Sequence, residues 1–152
     1  MDRIASFQVD HTKLLPGMYL SRRDGEITTF DLRFKKPNTG DLLTNAEMHS
    51  VEHIIATLLR NSRAKDAVIY FGPMGCQTGF YFLFDSRKLT DDDAVALVKE
   101  VFAAGAAWEG PMPGKSAAEC GNYINLDTAL ARTQCAYYCD VIRDWTVDKL
   151  SY

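Results

Sequence analysis

The residues of this 152-residue chain best placed to do chemistry are His49-Ser50-Val51-Glu52-His53, an H-x-x-E-H pentapeptide inside a stretch patterned as helix. At about 100° per residue, Glu52 falls about 60° to one side of His49 and His53 about 40° to the other, so all three side chains share one face. Two imidazoles on successive turns can grip one metal ion, and the carboxylate beside them is free to move protons. Without a metal the same three residues would only line a solvated helix face.

Two histidines leave a divalent ion undercoordinated, and catalytic zinc-type sites commonly use three protein ligands with one position open. The chain has four cysteines. Cys135 and Cys139 sit four apart in a helical pattern and read as packing residues. Cys76 and Cys120 lie instead among glycines, in Gly75-Cys76-Gln77-Thr78-Gly79 and Cys120-Gly121-Asn122, where backbone can come close to a bulky site. A thiolate at either position is a soft ligand suited to zinc or ferrous iron. If both coordinated, the site would be closed and structural; if one did, the other would remain as an acid or base. Metallopeptidases use a carboxylate in the position of Glu52 to activate a metal-bound water, but H-x-x-E-H peptidases are much larger than this chain. A second proton carrier of cysteine type fits better with moving protons on and off carbons next to a carbonyl.

These groups must be positioned by elements that the sequence marks clearly. Met18 to Arg23 runs into Asp24-Gly25 and then into Glu26 to Phe34, rich in β-branched and aromatic residues, which signals a hairpin. Lys35 to Gly40 is a loop, and Thr44 with Glu47 has the spacing of a capping box. The helix it opens runs to about Ser62 and carries the pentapeptide in its first half. Its apolar positions Val51, Ile54, Ile55, Leu58 and Leu59 recur at three and four, and should face a sheet. Ala67 to Phe71 and Gly79 to Phe84 read as two more strands, joined by a short turn that makes them antiparallel neighbours. Thr90 caps a helix through about Ala107, Asp127 opens another, and Gly110 to Gly121 between them is loop. Grouped antiparallel strands with helices on one face make an α+β fold: a single domain over residues 1–152 with a sheet of four or more strands.

Composition sets the class. Apolar residues are 47% and charged residues 24% of the chain, ordinary for a globular protein, and a net charge of -3 argues against nucleic-acid binding. No segment approaches the roughly 18 uncharged apolar residues of a membrane span, and Met1 to Ser6 has no apolar signal core. The expected address is the cytoplasm, where the cysteines stay reduced.

The ordered set of local motifs closely resembles the LuxS family of S-ribosylhomocysteine lyases along nearly the whole length. The matching segments are Ser6-Phe7 with Asp10-His11-Thr12, Phe30 to Phe34 with Pro37-Asn38, His49 to His53, Arg60-Asn61, Pro73 to Cys76 with Thr78 to Tyr81, and Glu119-Cys120-Gly121. The resemblance implies His49, His53 and Cys120 as metal ligands, with Cys76 left free and paired with Glu52 as general acid and base. It places Ser6, His11 and Arg33 in the substrate pocket, and implies a homodimer whose pockets are built from both chains. Ferrous iron is the implied native ion, one per subunit, with zinc in isolated protein. Some members carry an Asp and a Ser where this chain has Tyr70 and Gly72. Arg60 is read as structural.

The implied reaction cleaves S-ribosylhomocysteine, a by-product of the methyl cycle, to homocysteine and 4,5-dihydroxy-2,3-pentanedione, the precursor of the quorum-sensing signal autoinducer-2. The carbonyl moves from carbon one to carbon three in two isomerisations, after which loss of the carbon-four proton expels the homocysteine thiolate. Two other readings compete with it: a small metal-dependent hydrolase in which Glu52 activates water, and a non-catalytic module with a closed two-His, two-Cys zinc.

Overall fold

The hairpin at Asp24-Gly25 forms between β1 (Gly17–Asp24) and β2 (Ile27–Arg33), with Gly25 at φ 61° in the turn, a left-handed value that glycine adopts without steric cost. The computed structural model describes residues 1–152. Two further strands, β3 (Val68–Pro73) and β4 (Gly79–Asp85), complete an antiparallel sheet in the order β1-β2-β4-β3. Four helices complete the fold: α1 (Ala5–Gln8), α2 (Asn45–Arg60), α3 (Asp91–Ala106) and α4 (Thr128–Val141). It is the expected α+β architecture.

Register assigns each strand residue to a face. Phe30 pairs with Phe82 and Leu32 with Phe80, while Met18 pairs with Leu32 and Phe71 with Phe82. Because side chains alternate along a strand, these apolar residues share one face, and α2, α3 and α4 cover it. Val51, Ile54, Ile55 and Leu59 of α2 join that core with Val98 and Phe102 of α3 and Cys135 and Tyr138 of α4; Leu58 is only partly buried. Phe34 stacks on Tyr138 at 4.2 Å between ring centroids, and Phe102 meets Tyr138 edge-on at 4.8 Å. Burying each large aromatic ring here contributes on the order of 2–3 kcal/mol.

The opposite face carries Asp31 and Tyr81, which pair with each other, and Arg33, which pairs with Gly79. The sequence pattern does not reveal α1, a single turn with none of its residues buried. It lies on this second face, apart from the three longer helices, with Ser6 and Phe7 near Asp31, Arg33 and Tyr81.

Each helix start follows local chemistry. Thr44 Oγ1 accepts from the Glu47 amide at 3.1 Å, and Glu47 Oε1 accepts from the Thr44 amide at 2.9 Å, a capping box of about 1 kcal/mol. Thr90 caps α3 by accepting from the Asp93 amide, and Asp127 caps α4 by accepting from the Ala129 and Leu130 amides, neither with a reciprocal side chain. Arg60 donates to the carbonyls of Val68 at 2.9 Å and Ile69 at 2.7 Å, fastening the end of α2 to β3. It is structural, as expected, though it anchors a strand rather than its own helix end.

Candidate metal centre and acid-base pocket

The buried stripe of α2 turns His49, Glu52 and His53 away from the sheet. Taking about 100° per residue, their mean direction lies about 150° from the middle of the buried positions Met48, Ser50, Val51, Ile54, Ile55 and Leu59. The segment between α3 and α4 covers that outer side. Ser50 Oγ accepts from the Asp127 amide at 2.9 Å, which moors the start of α4 to α2 and carries the 3-10 turn Tyr123–Asn125 and Cys120 with it.

The side-chain donor atoms of His49, His53 and Cys120 lie within 4.8 Å of one another. Cys120 Sγ is 3.3 Å from His49 Nε2. A tetrahedral ion at about 2.3 Å from sulfur and 2.0–2.1 Å from nitrogen separates such donors by about 3.5 Å, so the cluster is spaced to accept an ion with little rearrangement.

Both rings are oriented by hydrogen bonds on the nitrogen away from the cluster. His53 Nδ1 donates to the Pro113 carbonyl at 2.8 Å, which fixes its tautomer because a carbonyl only accepts. His49 Nδ1 donates to Asn125 Oδ1 at 2.7 Å, and Asn125 Nδ2 donates to Asn45 Oδ1 at 2.7 Å. Each Nε2 therefore keeps a lone pair for a metal, the outer support common to histidine metal sites. Gly114 makes the Pro113 contact feasible: its φ is 71°, and a Cβ there would come within 3.0 Å of His53 Nδ1. The donor set, its spacing and its orientation fit one divalent ion with an open position.

Glu52 is half-buried beside the cluster and faces a cavity of about 260 Å³ shared with His53, Thr57, Pro113 and Gly114. Burial pushes its carboxyl above the usual carboxylate range, while His49 and His53 pull the other way. It makes no hydrogen bond of its own, so its oxygens are available.

A second cluster forms on the far face of the sheet. Ser6, His11, Arg33 and Cys76 line one cavity of about 170 Å³ together with Asp31 and Tyr81. His11 Nδ1 donates to the Val9 carbonyl at 2.9 Å, which leaves Nε2 unprotonated in the neutral ring. Arg33, 4% exposed, donates to Thr78 Oγ1 at 2.7 Å and lies 3.9 Å from Cys76 Sγ. Its other side faces Asp31 at 3.7 Å, whose carboxylate also accepts from the Tyr152 hydroxyl. Burial raises Asp31 above the usual carboxylate range, against the opposing pull of Tyr152 and Arg33. Asp31 Oδ1 and Arg33 Nε are buried without a partner.

Within one chain the two clusters stay apart. Helix α2 and the sheet stand between them, the helix alone being about 10 Å across, and the cavities that hold them share no residue. Cys76 is not among the clustered donors, which tells against the closed two-His, two-Cys zinc module. Cys135 is fully buried and its thiol is pushed up to about 12 by that burial, while Cys139 is partly buried against the same core; both are packing residues. Tyr70 folds over Gly72, where a Cβ would come within 2.0 Å of the phenol oxygen, so a side chain at position 72 is incompatible with this placement of Tyr70.

Sequence reasoning missed Asn45 and Asn125, which no motif marks and which only the approach of the segment after α3 brings to His49. It also left unassigned Asp31 and Thr78, although both stand inside the quoted motifs. Tyr81 likewise stands inside a quoted motif without a role, and Tyr152 gave no signal at all.

A family model described as S-Ribosylhomocysteinase (LuxS) matches residues 4–148. A protein of Desulfotalea psychrophila named S-ribosylhomocysteine lyase is 46% identical over 158 residues, covering 100% of this chain and 99% of the relative. A protein of the same name from Finegoldia magna is 43% identical over 156 residues with the same coverage. One from Clostridium beijerinckii is 44% identical over 137 residues, 87% of this chain and 86% of the relative.

Proposed function

Because the chain belongs to the S-ribosylhomocysteinase (LuxS) family, we propose that it is a metal-dependent carbon-sulfur lyase cleaving S-ribosylhomocysteine to homocysteine and 4,5-dihydroxy-2,3-pentanedione. The observation that carries this reading is the oriented His49, His53 and Cys120 donor set with an uncoordinated Glu52 beside it. His49, His53 and Cys120 hold the ion, with Fe2+ as the native metal and Zn2+ able to replace it, since this ligand set accepts both. When bound, the ion supplies Lewis-acid polarisation of the sugar carbonyl.

The chain's own groups then do the proton work. Moving a carbonyl along a sugar requires a proton taken from one carbon and returned to its neighbour, and each well-placed acid or base is worth about 100- to 10,000-fold. Glu52, half-buried beside the donor set and without a hydrogen-bond partner of its own, serves one face. Cys76 serves the other, with the Arg33 guanidinium 3.9 Å from its sulfur. The final elimination needs only removal of the carbon-four proton and departure of the thiolate. Ser6 and His11 offer hydrogen bonds to sugar hydroxyls, and the unpaired Arg33 Nε and Asp31 Oδ1 are fixed polar atoms that a substrate can satisfy.

The separation of the two clusters supports a homodimer in which Cys76, Arg33, Ser6 and His11 of one copy meet the metal ligands and Glu52 of the other. One lyase domain then spans residues 1–152, and the cytoplasm is the compartment in which Cys76 and Cys120 remain thiols. No helix of the chain is long and apolar enough to cross a membrane. The hydrolase reading has no support in the relatives described above, which carry the lyase name.

The test is direct. Reduced, metal-replete protein is given S-ribosylhomocysteine and the released thiol is titrated; absence of homocysteine refutes the assignment.

A further inference from the structure

The second cluster contains a buried hydroxyl that the reaction does not itself require. Thr78 is 3% exposed, and its Oγ1 stands 2.7 Å from Arg33 Nη1 and 3.0 Å from Cys76 Sγ. A guanidinium can only donate, so the hydroxyl must accept from Arg33. Its own single proton has one remaining partner within reach, the sulfur of Cys76. A buried O–H left unpaired is costly, and the bond from Thr78 to sulfur is therefore directional: the hydroxyl donates and Cys76 accepts.

The backbone fixes this arrangement. The Thr78 carbonyl accepts from the amides of Phe34 at 2.8 Å and Lys35 at 3.0 Å. Gln77, at φ 64°, is tied to Leu43 by its amide side chain and by its carbonyl. At Gly79 any Cβ would come within 2.2 Å of the Leu32 carbonyl oxygen, so β4 sits as close to β2 as chains can. The turn that carries Cys76 is thereby held against Arg33, which is itself braced on its far side by Asp31 and Tyr152.

We propose that Thr78 is a positioning residue for Cys76: it relays the positive end of Arg33 to the sulfur and holds the thiol in one orientation, accepting from Arg33 and donating to Cys76. At 3.9 Å the guanidinium makes only a long contact with the sulfur itself; through Thr78 its polarising effect arrives over two short hydrogen bonds. The inference rests on the reading of Cys76 as a proton carrier given above.

The test compares Thr78→Val, which keeps the shape and removes the hydroxyl, with Thr78→Ser, which keeps the hydroxyl. The metal-loaded proteins are treated with iodoacetamide at pH 7, and modification of the Cys76 peptide is followed by mass spectrometry. Losing a hydrogen bond to a charged acceptor predicts that the valine variant alkylates about 10-fold more slowly or worse, with kcat falling alongside and KM little changed. The serine variant should recover both. Thr78→Ala carries the same test should the valine variant not fold. Unchanged alkylation without the hydroxyl, or a serine variant as slow as valine, overturns the proposal. Failure here is distinct from failure of the lyase assignment: full turnover by Cys76→Ala would refute the role of the thiol, whatever Thr78 does to its reactivity.

Discussion

Mixing two dead variants should restore turnover. Cys76→Ala removes the thiol and leaves the metal ligands intact, whereas His53→Ala removes a metal ligand and leaves the thiol cluster intact. In one chain these groups line separate cavities, with the sheet and α2, about 10 Å of helix, between them. In a two-fold dimer the same surface patches meet reciprocally. A mixed dimer then has one site with both lesions and one with neither. If subunits of a 1:1 mixture re-equilibrate, about half of the dimers are mixed and each has one of its two sites complete, giving about 25% of wild-type activity per subunit. Mixed dimers isolated through two different affinity tags should give about 50%. Thiol release from S-ribosylhomocysteine, measured with the two parents alone as blanks, reads the result. Verified mixed dimers with no more activity than the parents would refute the shared site, as would a protein that remains monomeric while turning over.

Other perturbations follow from the same geometry. Asn125→Ala removes the acceptor that orients His49 and should weaken metal binding about 10- to 100-fold, measured by competition with a chromogenic chelator. Phe102→Ala opens the core where Phe34, Phe71 and Tyr138 converge and should destabilise the fold by about 3–5 kcal/mol in chemical denaturation. Asp85 is held down to about 2 by hydrogen bonds from the Arg87 side chain and amide. Its folded value lies below the ordinary 3.8, so its contribution is complete above about pH 4 and is lost as pH falls toward about 2. The difference in melting temperature between wild type and Asp85→Asn should accordingly be flat from pH 7 to 5 and close below pH 4.

Much of this protein is written locally. The capping box at Thr44 and Glu47, the Asp24-Gly25 hairpin and the apolar spacing of Val51, Ile55 and Leu59 depend on neighbours a few residues away. Such short-range constraints leave a pattern in sequence order, and each of these elements appears where its pattern places it. The shared face of His49, Glu52 and His53 is likewise a consequence of helix pitch alone. The third donor was different: spacing left Cys76 and Cys120 equivalent, and the family resemblance implied Cys120.

Tertiary structure decided what distant segments do to one another. The moor between Ser50 and Asp127 brings Cys120 and Asn125 over the outer side of α2, and no periodicity encodes a contact across more than seventy positions. Pairing of β2 with β4 puts Arg33 beside Thr78 on the far face of the sheet, and a short turn holds Cys76 against them. Alternation of side chains across the strands then sends the thiol cluster to one face while the aromatic core and α2 occupy the other. Sequence alone singled out His49, Glu52, His53, Cys76 and Cys120; the layering of the fold gathers His49, His53 and Cys120 on the outer side of α2 and sets Cys76 beside Arg33 on the far face of the sheet, because side chains alternate across strands and a helix packed on one face leaves the other to different residues.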